Sequence, residues 1–341
     1  MSILGLDIGG ANIKAADGSG RTLSRPFAIW KYPEQLASQI ALLQSEFPST
    51  DQLAVTMTAE LADCFTTKTE GVRFILDQLS VGNQKEMLVW TTAGEFVSAE
   101  TARQQPMKVA AANWHALATW VGQHHLQQSA STALLIDIGT TTTDIIPFTN
   151  GCPATLGLTD TTRLQSGELC YSGIRRTPVC AIAHSVPFRD SYCPLAAELF
   201  ATTLDIYLLL GEIREDESDL ETANGKPATR AAAHDRLVRM LCADRDEISF
   251  DESVDIARFL ADVQRQRLAG ALERVAQRFG GSIDHVIVSG SGAFLARRLI
   301  ADHRRLRGAT VISLDQLLSP GVAEAACAYA VGQLAANRPA Q

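Results

Sequence analysis

The sequence predicts an α/β protein made of two related domains, and three observations carry that prediction. A motif occurs twice, segments of strand and helix period alternate after each copy, and a chain of 341 residues has the length of about two domains. The motif Ile3-Leu4-Gly5-Leu6-Asp7-Ile8-Gly9-Gly10-Ala11-Asn12 lies on Ala133-Leu134-Leu135-Ile136-Asp137-Ile138-Gly139-Thr140-Thr141-Thr142, an offset of 137 − 7 = 130 residues. Each copy is an apolar run ending in Asp-Ile-Gly, then a short polar turn, then a second strand-like run at 13–16 or 144–148. Both read as β-hairpins, closed by Asp17-Gly18-Ser19-Gly20 and by Thr149-Asn150-Gly151.

The remaining elements follow in order. Residues 33–47 form an amphipathic helix with Leu36, Ile40, Leu43 and Phe47 on one stripe; 53–58 is a strand, 70–79 a helix through Val72, Ile75, Leu76 and Leu79, and 87–91 a strand. In the second half 195–210, 229–242 and 251–279 read as helices, the last stopped by Gly280-Gly281. Then come a buried strand at 284–289, a helix at 293–300, a strand at 310–314, an Ala-rich helix at 321–336 and a frayed tail.

Composition narrows the function classes. Apolar residues at 46% and charged residues at 20% describe a folded globular chain. A net charge of −8 without a long basic run argues against nucleic acid as a partner. The seven cysteines are odd in number and never spaced Cys-x-x-Cys, so they read as reduced thiols of a cytoplasmic protein, and no His/Cys spacing matches a zinc site. A basic leader is lacking and the most apolar window, 204–210, is too short to span a bilayer, which sets secretion and membrane insertion aside.

Gly9 and Gly10, set directly after an apolar strand, let backbone N–H groups turn toward an anion, since glycine neither blocks the approach nor forbids unusual φ. Asn12 and Lys14 follow in the same hairpin as further phosphate-binding candidates. The second copy offers Gly139 with Thr140, Thr141 and Thr142, whose hydroxyls and amides are donors to phosphate oxygens. Asp7 and Asp137 at the strand ends are the candidate ligands of a hydrated divalent cation, Mg²⁺ or another, and neither is expected in the core. Taken singly, each copy is better explained by a tight hairpin with a solvated Asp; the repetition favours an oligophosphate clamp. A third element, Ser289-Gly290-Ser291-Gly292 after a buried strand, offers an anion or nucleoside the N–H groups of a helix start, or else needs glycine only for close packing.

These three elements in this order resemble the two phosphate segments and the adenosine segment of the actin, sugar kinase and Hsp70 superfamily. Within it the chain is similar to the hydantoinase/oxoprolinase group, and more narrowly to the branch associated with tetrahydromethanopterin-linked one-carbon transfer, which includes the condensing enzyme of methanofuran biosynthesis. The stretches that carry the likeness are 56–63, 68–72, Ala111-Ala112-Asn113-Trp114, 167–178 and 197–203. The resemblance implies two ribonuclease-H-like (actin/hexokinase-type) domains around a central cleft, 1–128 with 320–341 and 129–319. It also implies small-molecule substrates: the phosphate cradle holds a furanmethyl diphosphate, the phenol oxygen of a tyrosine or tyramine derivative attacks the furan CH₂ carbon, and diphosphate leaves.

A phenol of pKa about 10 needs a base at neutral pH. The polar stretch 163–178, read as a loop, supplies Glu168 to take the phenolic proton and Arg175 and Arg176 to pair with diphosphate or with a substrate carboxylate, unless these are ordinary surface charges. Glu60 and Asp63, just past a strand, are placed for a cleft or for a turn and helix cap, with Glu60 the next candidate base. Trp114 reads as a core aromatic and His124-His125 as a helix end. The rival readings are an ATP-dependent small-molecule kinase, a cyclic-amide hydrolase of the hydantoinase/oxoprolinase type, and a nucleotide-gated clamp without catalysis.

Overall fold

The computed structural model describes residues 2–126 and 132–338. The chain divides into two compact units, Met1–Leu135 with Ile146–Arg163 and Thr310–Gln341, and Ile136–Ile145 with Leu164–Ala309. The expected break at 128/129 lies outside the described residues.

In unit 1 the sheet is built outward from β1 (Ile3–Ile8), whose six residues are all buried. An apolar strand buried on both faces belongs in the middle of a sheet. On one side β1 pairs antiparallel with β2 (Asn12–Asp17), which pairs with β3 (Thr22–Pro26); on the other it pairs in parallel with β4 (Gln52–Met57). β5 (Glu86–Trp90) continues the parallel side and β6 (Phe96–Ser98) closes the edge, giving the order β3-β2-β1-β4-β5-β6. Three meandering strands followed by parallel additions on the far side of the first strand are the ribonuclease-H-like arrangement.

Helices cover this sheet. α1 (Leu36–Ser45) follows a 3-10 turn begun by Pro33, and buries Leu36, Ile40 and Leu43 as the stripe predicts. α2 (Lys68–Ser80) is started by Thr67, whose hydroxyl accepts from the Glu70 N–H at 3.1 Å, and buries Val72, Ile75, Leu76 and Leu79. After α3 (Ala99–Gln104), α4 (Asn113–His125) buries Trp114, Leu117, Trp120 and Val121. The C-terminal helix, Ala326–Ala336, also belongs to unit 1 and lies directly on β1: a Cβ on Gly5 would sit 1.9 Å from the Ala328 carbonyl oxygen. The predicted 321–336 helix is broken at Ala325, between Pro320–Glu324 and Ala326–Ala336.

β7 (Thr132–Ile138) and β8 (Thr143–Thr149) form the second hairpin, with β9 (Cys152–Pro153) paired to the end of β8. The stretch 163–178 is not one loop: α5 (Asp160–Ser166) takes up its start, and β10 (Leu169–Cys170) pairs antiparallel with β8. Arg163 is accordingly a buried helical residue, its N–H bonded to the Thr159 carbonyl. β11 (Ser185–Phe188) and β12 (Ser191–Pro194) make a separate ribbon.

The helix expected over 195–210 shortens to α6 (Thr203–Leu209), because Thr202 and Asp205 form a capping box that starts the helix there. α7 (Arg230–Val238) and the long α8 (Phe250–Ala276), itself begun by a Ser249/Glu252 capping box, pack against α6. The core strand β13 (His285–Ser289) leads into α9 (Ala293–Asp302), and the second sheet contains the run β10-β8-β7-β13. No helix among the described residues is long and apolar enough to cross a membrane.

Replacing Gly5 by Ala forces the C-terminal helix off β1, an overpacking cost of about 1–3 kcal/mol or more. Gly5→Ala is expected to lower the urea midpoint clearly, whereas Gly18→Ala, at a turn with open space around the glycine, is expected to change it by much less.

Candidate functional site

The two turns of the repeat are closed by the same hydrogen bond. The Gly9 N–H donates to the Asn12 carbonyl at 3.0 Å, and the Gly139 N–H to the Thr142 carbonyl at 2.9 Å, each bond closing a turn across three residues. The turn carbonyls are then tied back by a neighbouring segment. Gly10 and Ala11 accept from Ile29 and Phe27 N–H; Gly139 accepts from Ile174 N–H, and Thr140 from both Arg175 and Arg176. The amides of Gly10, Ala11, Thr140 and Thr141 have no hydrogen-bond partner among the described residues. A turn with two carbonyls engaged and N–H groups left free presents positive dipole ends, the requirement for binding an anion.

Within unit 1, Asp7 stands beside Lys14 on β2 and Thr56 on β4. It is a core residue, 8% exposed, which corrects the expectation that it lies outside the core. Its Oδ1 has no hydrogen-bond partner among the described residues, and burial pushes its carboxyl up to about 6, with the Lys14 charge opposing. Lys14 itself donates to the Glu324 carbonyl at 2.8 Å, at the end of the Pro320–Glu324 helix, so it reaches along the sheet. Neither Gly9 nor Gly10 has positive φ. A Cβ on Gly9 would meet the Asn12 carbonyl at 2.9 Å, whereas nothing lies within 4 Å of one on Gly10. Gly10 is thus free of packing demands, and Asn12 takes part through its carbonyl.

Past β4 the chain is stapled to the same strand end: Thr58 and Ala59 N–H both donate to the Ile8 carbonyl, at 2.9 and 3.1 Å. Glu60 follows, 1% exposed. Burial pushes its carboxyl up to about 7, although N–H groups of Glu60 and Ala111 and the Lys68 charge pull the other way and Asp160 adds to the rise. Lys68 and Asp160 are themselves joined at 2.6 Å. Close by in sequence to Asp160, the Arg163 guanidinium lies 3.9 Å from the Trp114 ring centroid. Burial and Arg163 hold His115 down to about 4, so it is neutral, and it accepts from the Trp90 indole N–H at 3.3 Å. Asp63 is exposed and stands apart from these buried groups.

Within unit 2, Asp137 and the turn from Gly139 to Thr142 are partly exposed, and two further segments close on them. A Cβ on Gly173 would lie 2.6 Å from the Gly139 and Thr140 carbonyl oxygens; one on Gly290 would lie 2.3 Å from the Ile138 carbonyl and 2.4 Å from Asp137 Oδ1. Gly290 also has φ +84°, and the Gly292 N–H donates to the Ile138 carbonyl at 2.8 Å. The glycines of 289–292 therefore serve close packing onto the end of β7, with Ser289 buried and the α9 N-terminus beside them.

The segment 172–177 is positioned by a network that sequence reasoning missed. Tyr207 donates to Gln264 at 2.6 Å, and Gln264 donates to the Ser172 hydroxyl and the Gly173 carbonyl, both at 2.9 Å. Thus Arg175 and Arg176 emerge from a backbone bonded to the second turn itself. Arg175 is paired with Asp219 and half-buried; Arg176 is exposed. Glu168 is fully buried and is no surface charge: one carboxylate oxygen is paired with Arg278, and the other accepts from the Ser166 hydroxyl at 2.9 Å.

Sequence comparison now places the chain. Residues 51–331 match the hydantoinase/oxoprolinase family, and the protein belongs to it. A protein of Methanocaldococcus jannaschii, 32% identical over 98% of this chain and 97% of its own length, is named (4-{4-[2-(gamma-L-glutamylamino)ethyl]phenoxymethyl}furan-2-yl)methanamine synthase. One from Methanococcus vannielii with the same name is 30% identical over 60% of this chain and 90% of its own length. Among solved structures, the inorganic polyphosphate/ATP-glucomannokinase of Arthrobacter sp. strain KM is 15% identical with a TM-score of 0.45, covering 99% of each chain.

The packing roles of the glycines are separable from ligand binding. Gly173→Ala is expected to destabilise unit 2 by about 1–3 kcal/mol in urea titrations, while Gly10→Ala leaves stability within roughly 0.5 kcal/mol. Asp7→Asn is expected to melt no lower than the wild type, because it replaces a buried carboxylate that has an unsatisfied oxygen.

Proposed function

We propose that this protein is a transferase of methanofuran-type cofactor biosynthesis in one-carbon metabolism. It condenses a furanmethyl diphosphate with the phenol of a tyrosine or tyramine derivative, forming an aryl ether and releasing diphosphate. The observation that supports this most is the pair of matching turns with free amides, in a chain that aligns along nearly its whole length with a synthase named for such a phenoxymethyl-furan product.

In this reading the Gly9–Gly10 turn with Asn12 and Lys14, the turn from Gly139 to Thr142, and Ser289, Gly290 and Gly292 bind phosphate oxygens. Preorganised N–H donors stabilise the charge that gathers on diphosphate as its C–O bond breaks. Arg175 and Arg176 steady the same anion; Arg175 exchanges its Asp219 partner for it. Mg²⁺ or another divalent cation suits Asp7, whose buried Oδ1 has no hydrogen-bond partner among the described residues, and Asp137 is the corresponding residue of the second hairpin. When bound, such a cation neutralises diphosphate charge and improves it as a leaving group. The furan shares positive charge at the CH₂ carbon, and the phenol oxygen attacks there once its proton is accepted by a carboxylate.

The direct test is incubation of the protein and Mg²⁺ with the furanmethyl diphosphate and, in turn, tyrosine, tyramine and γ-glutamyl-tyramine, with the ether sought by mass spectrometry. ATP with candidate alcohols or cyclic amides is the control. Ether formation without ATP is the expected outcome; tight ATP binding with stimulated phosphate release would favour a kinase or an oxoprolinase-type hydrolase. Asp7→Ala and Asp137→Ala are each expected to remove most activity with the circular dichroism spectrum retained. Arg175→Ala is expected to weaken diphosphate binding roughly tenfold or more, the usual size of a lost hydrogen bond to a charged group.

A further inference from the structure

Of the two carboxylates suited to accept the phenolic proton, the structure separates one from the other. Glu168 has both oxygens engaged, by Arg278 and by Ser166. A buried carboxylate whose two oxygens are both taken up by donors has neither left over to meet a substrate hydroxyl. Glu60 has the opposite surroundings: it is buried, and its Oε2 has no hydrogen-bond partner among the described residues.

Three features of unit 1 hold Glu60 in that state. The backbone before it is bonded to Ile8, at the strand end that carries Gly9 and Gly10, and Thr58 Oγ1 lies 3.8 Å from where a Gly9 Cβ would stand. Behind it, α2 closes to contact: a Cβ on Gly71 would be 2.2 Å from the Glu60 carbonyl oxygen and 2.7 Å from its Cα, so only glycine permits the approach. Above it stands Ala111, whose amide opposes the rise of the Glu60 pKa and which has φ 49°, left-handed backbone that a side chain disfavours. Strain kept beside a buried acid with an unpartnered oxygen points to use of that acid.

We infer that Glu60 is the proton acceptor for the phenol, with the Gly71 contact fixing its backbone just past the segment bonded to the strand end that carries the first turn. This inference rests on the condensation proposed above and deepens it. The phenolic O–H bond breaks with its proton passing to Glu60 Oε2. The phenol oxygen bonds to the furan CH₂ carbon, and the C–O bond to diphosphate breaks with its electron pair leaving on diphosphate. Glu60 then returns the proton to solvent. Lys68 from α2 and Asp160 from α5 are the charged groups acting on Glu60, with opposite effects, and burial sets the result near neutrality. A base ionising there is better matched to a phenol of pKa about 10 than an ordinary carboxylate is.

The test compares tyramine with a fluorinated tyramine whose phenol is already ionised at the assay pH. With tyramine, the wild-type kcat/KM is expected to rise through about pH 7, the value to which burial brings Glu60. With the fluorinated substrate that limb is replaced by one following the phenol's own ionisation. Glu60→Gln is expected to lower kcat for tyramine roughly a hundredfold or more, to bind the furanmethyl diphosphate unchanged by calorimetry, and to recover most of its rate with the fluorinated phenol. Glu168→Gln is expected to show no such dependence on the phenol. An equal loss with both phenols, a limb near pH 7 that persists with the fluorinated substrate, or a phenol-dependent loss in Glu168→Gln instead overturns the inference. Absence of ether from the wild type overturns the underlying reading.

Discussion

Everything in the candidate site depends on a turn that bonds to itself and leaves its amides over. Gly9 N–H to Asn12 carbonyl, and Gly139 N–H to Thr142 carbonyl, end β1 and β7 abruptly and bring the next strand back alongside. Because neighbouring segments take up two carbonyls of each turn, those of Gly10 and Ala11 and those of Gly139 and Thr140, the polarity that remains is mainly that of N–H groups. Backbone polar groups left unsatisfied are costly unless water or a ligand meets them. Such a turn is therefore most stable at the protein surface or against an anion, and the partial exposure of Gly9, Gly10 and Gly139 to Thr142 agrees with both.

The second constraint is distance. Gly5, Gly71, Gly173 and Gly290 all stand where a Cβ would come within 2.7 Å of a backbone atom. These contacts tie the C-terminal helix to β1, α2 to Glu60, and the segments around 173 and 290 to the end of β7. A methyl group at any of them moves an element that carries a candidate site residue. At these four positions glycine is used for close approach more than for unusual φ, since only Gly290 has positive φ.

How much of this was legible in the sequence follows from the range of the interaction. The hairpins, the α1 stripe and the buried β13 strand come from local periodicity, and the structure has them within a few residues. The helix expected over 195–210 failed because its apolar content was read without its start signal, which Thr202 and Asp205 place late. The site was legible where it is a turn and illegible where it is an ion pair. Nothing in the spacing of Glu168 and Arg278, 278 − 168 = 110 residues apart, or of Lys68 and Asp160, announces that they meet. Nor does an alanine announce that it will adopt left-handed backbone at Ala111. Yet Glu60, Lys68, Ala111 and Glu168 all fall in the stretches that carried the family resemblance, a sign of something shared that periodicity alone does not contain.

The buried acids of unit 1 give the arrangement its chemical direction. Asp7 and Glu60 both carry pKa values raised by burial, to about 6 and about 7. A carboxylate whose folded pKa lies above its unfolded value stabilises the fold fully only below the unfolded value, and that stability is lost as pH rises toward the folded value. At neutral pH, then, the ligand-free protein has given up stability at both positions. A ligand that brings positive charge to Asp7, or a proton to Glu60, restores it. This asymmetry suits the condensation, which brings diphosphate with its counter-charge and a phenolic proton. In the proposed reaction both groups would be useful for the reason that they are costly in the resting fold: water has been removed from around them.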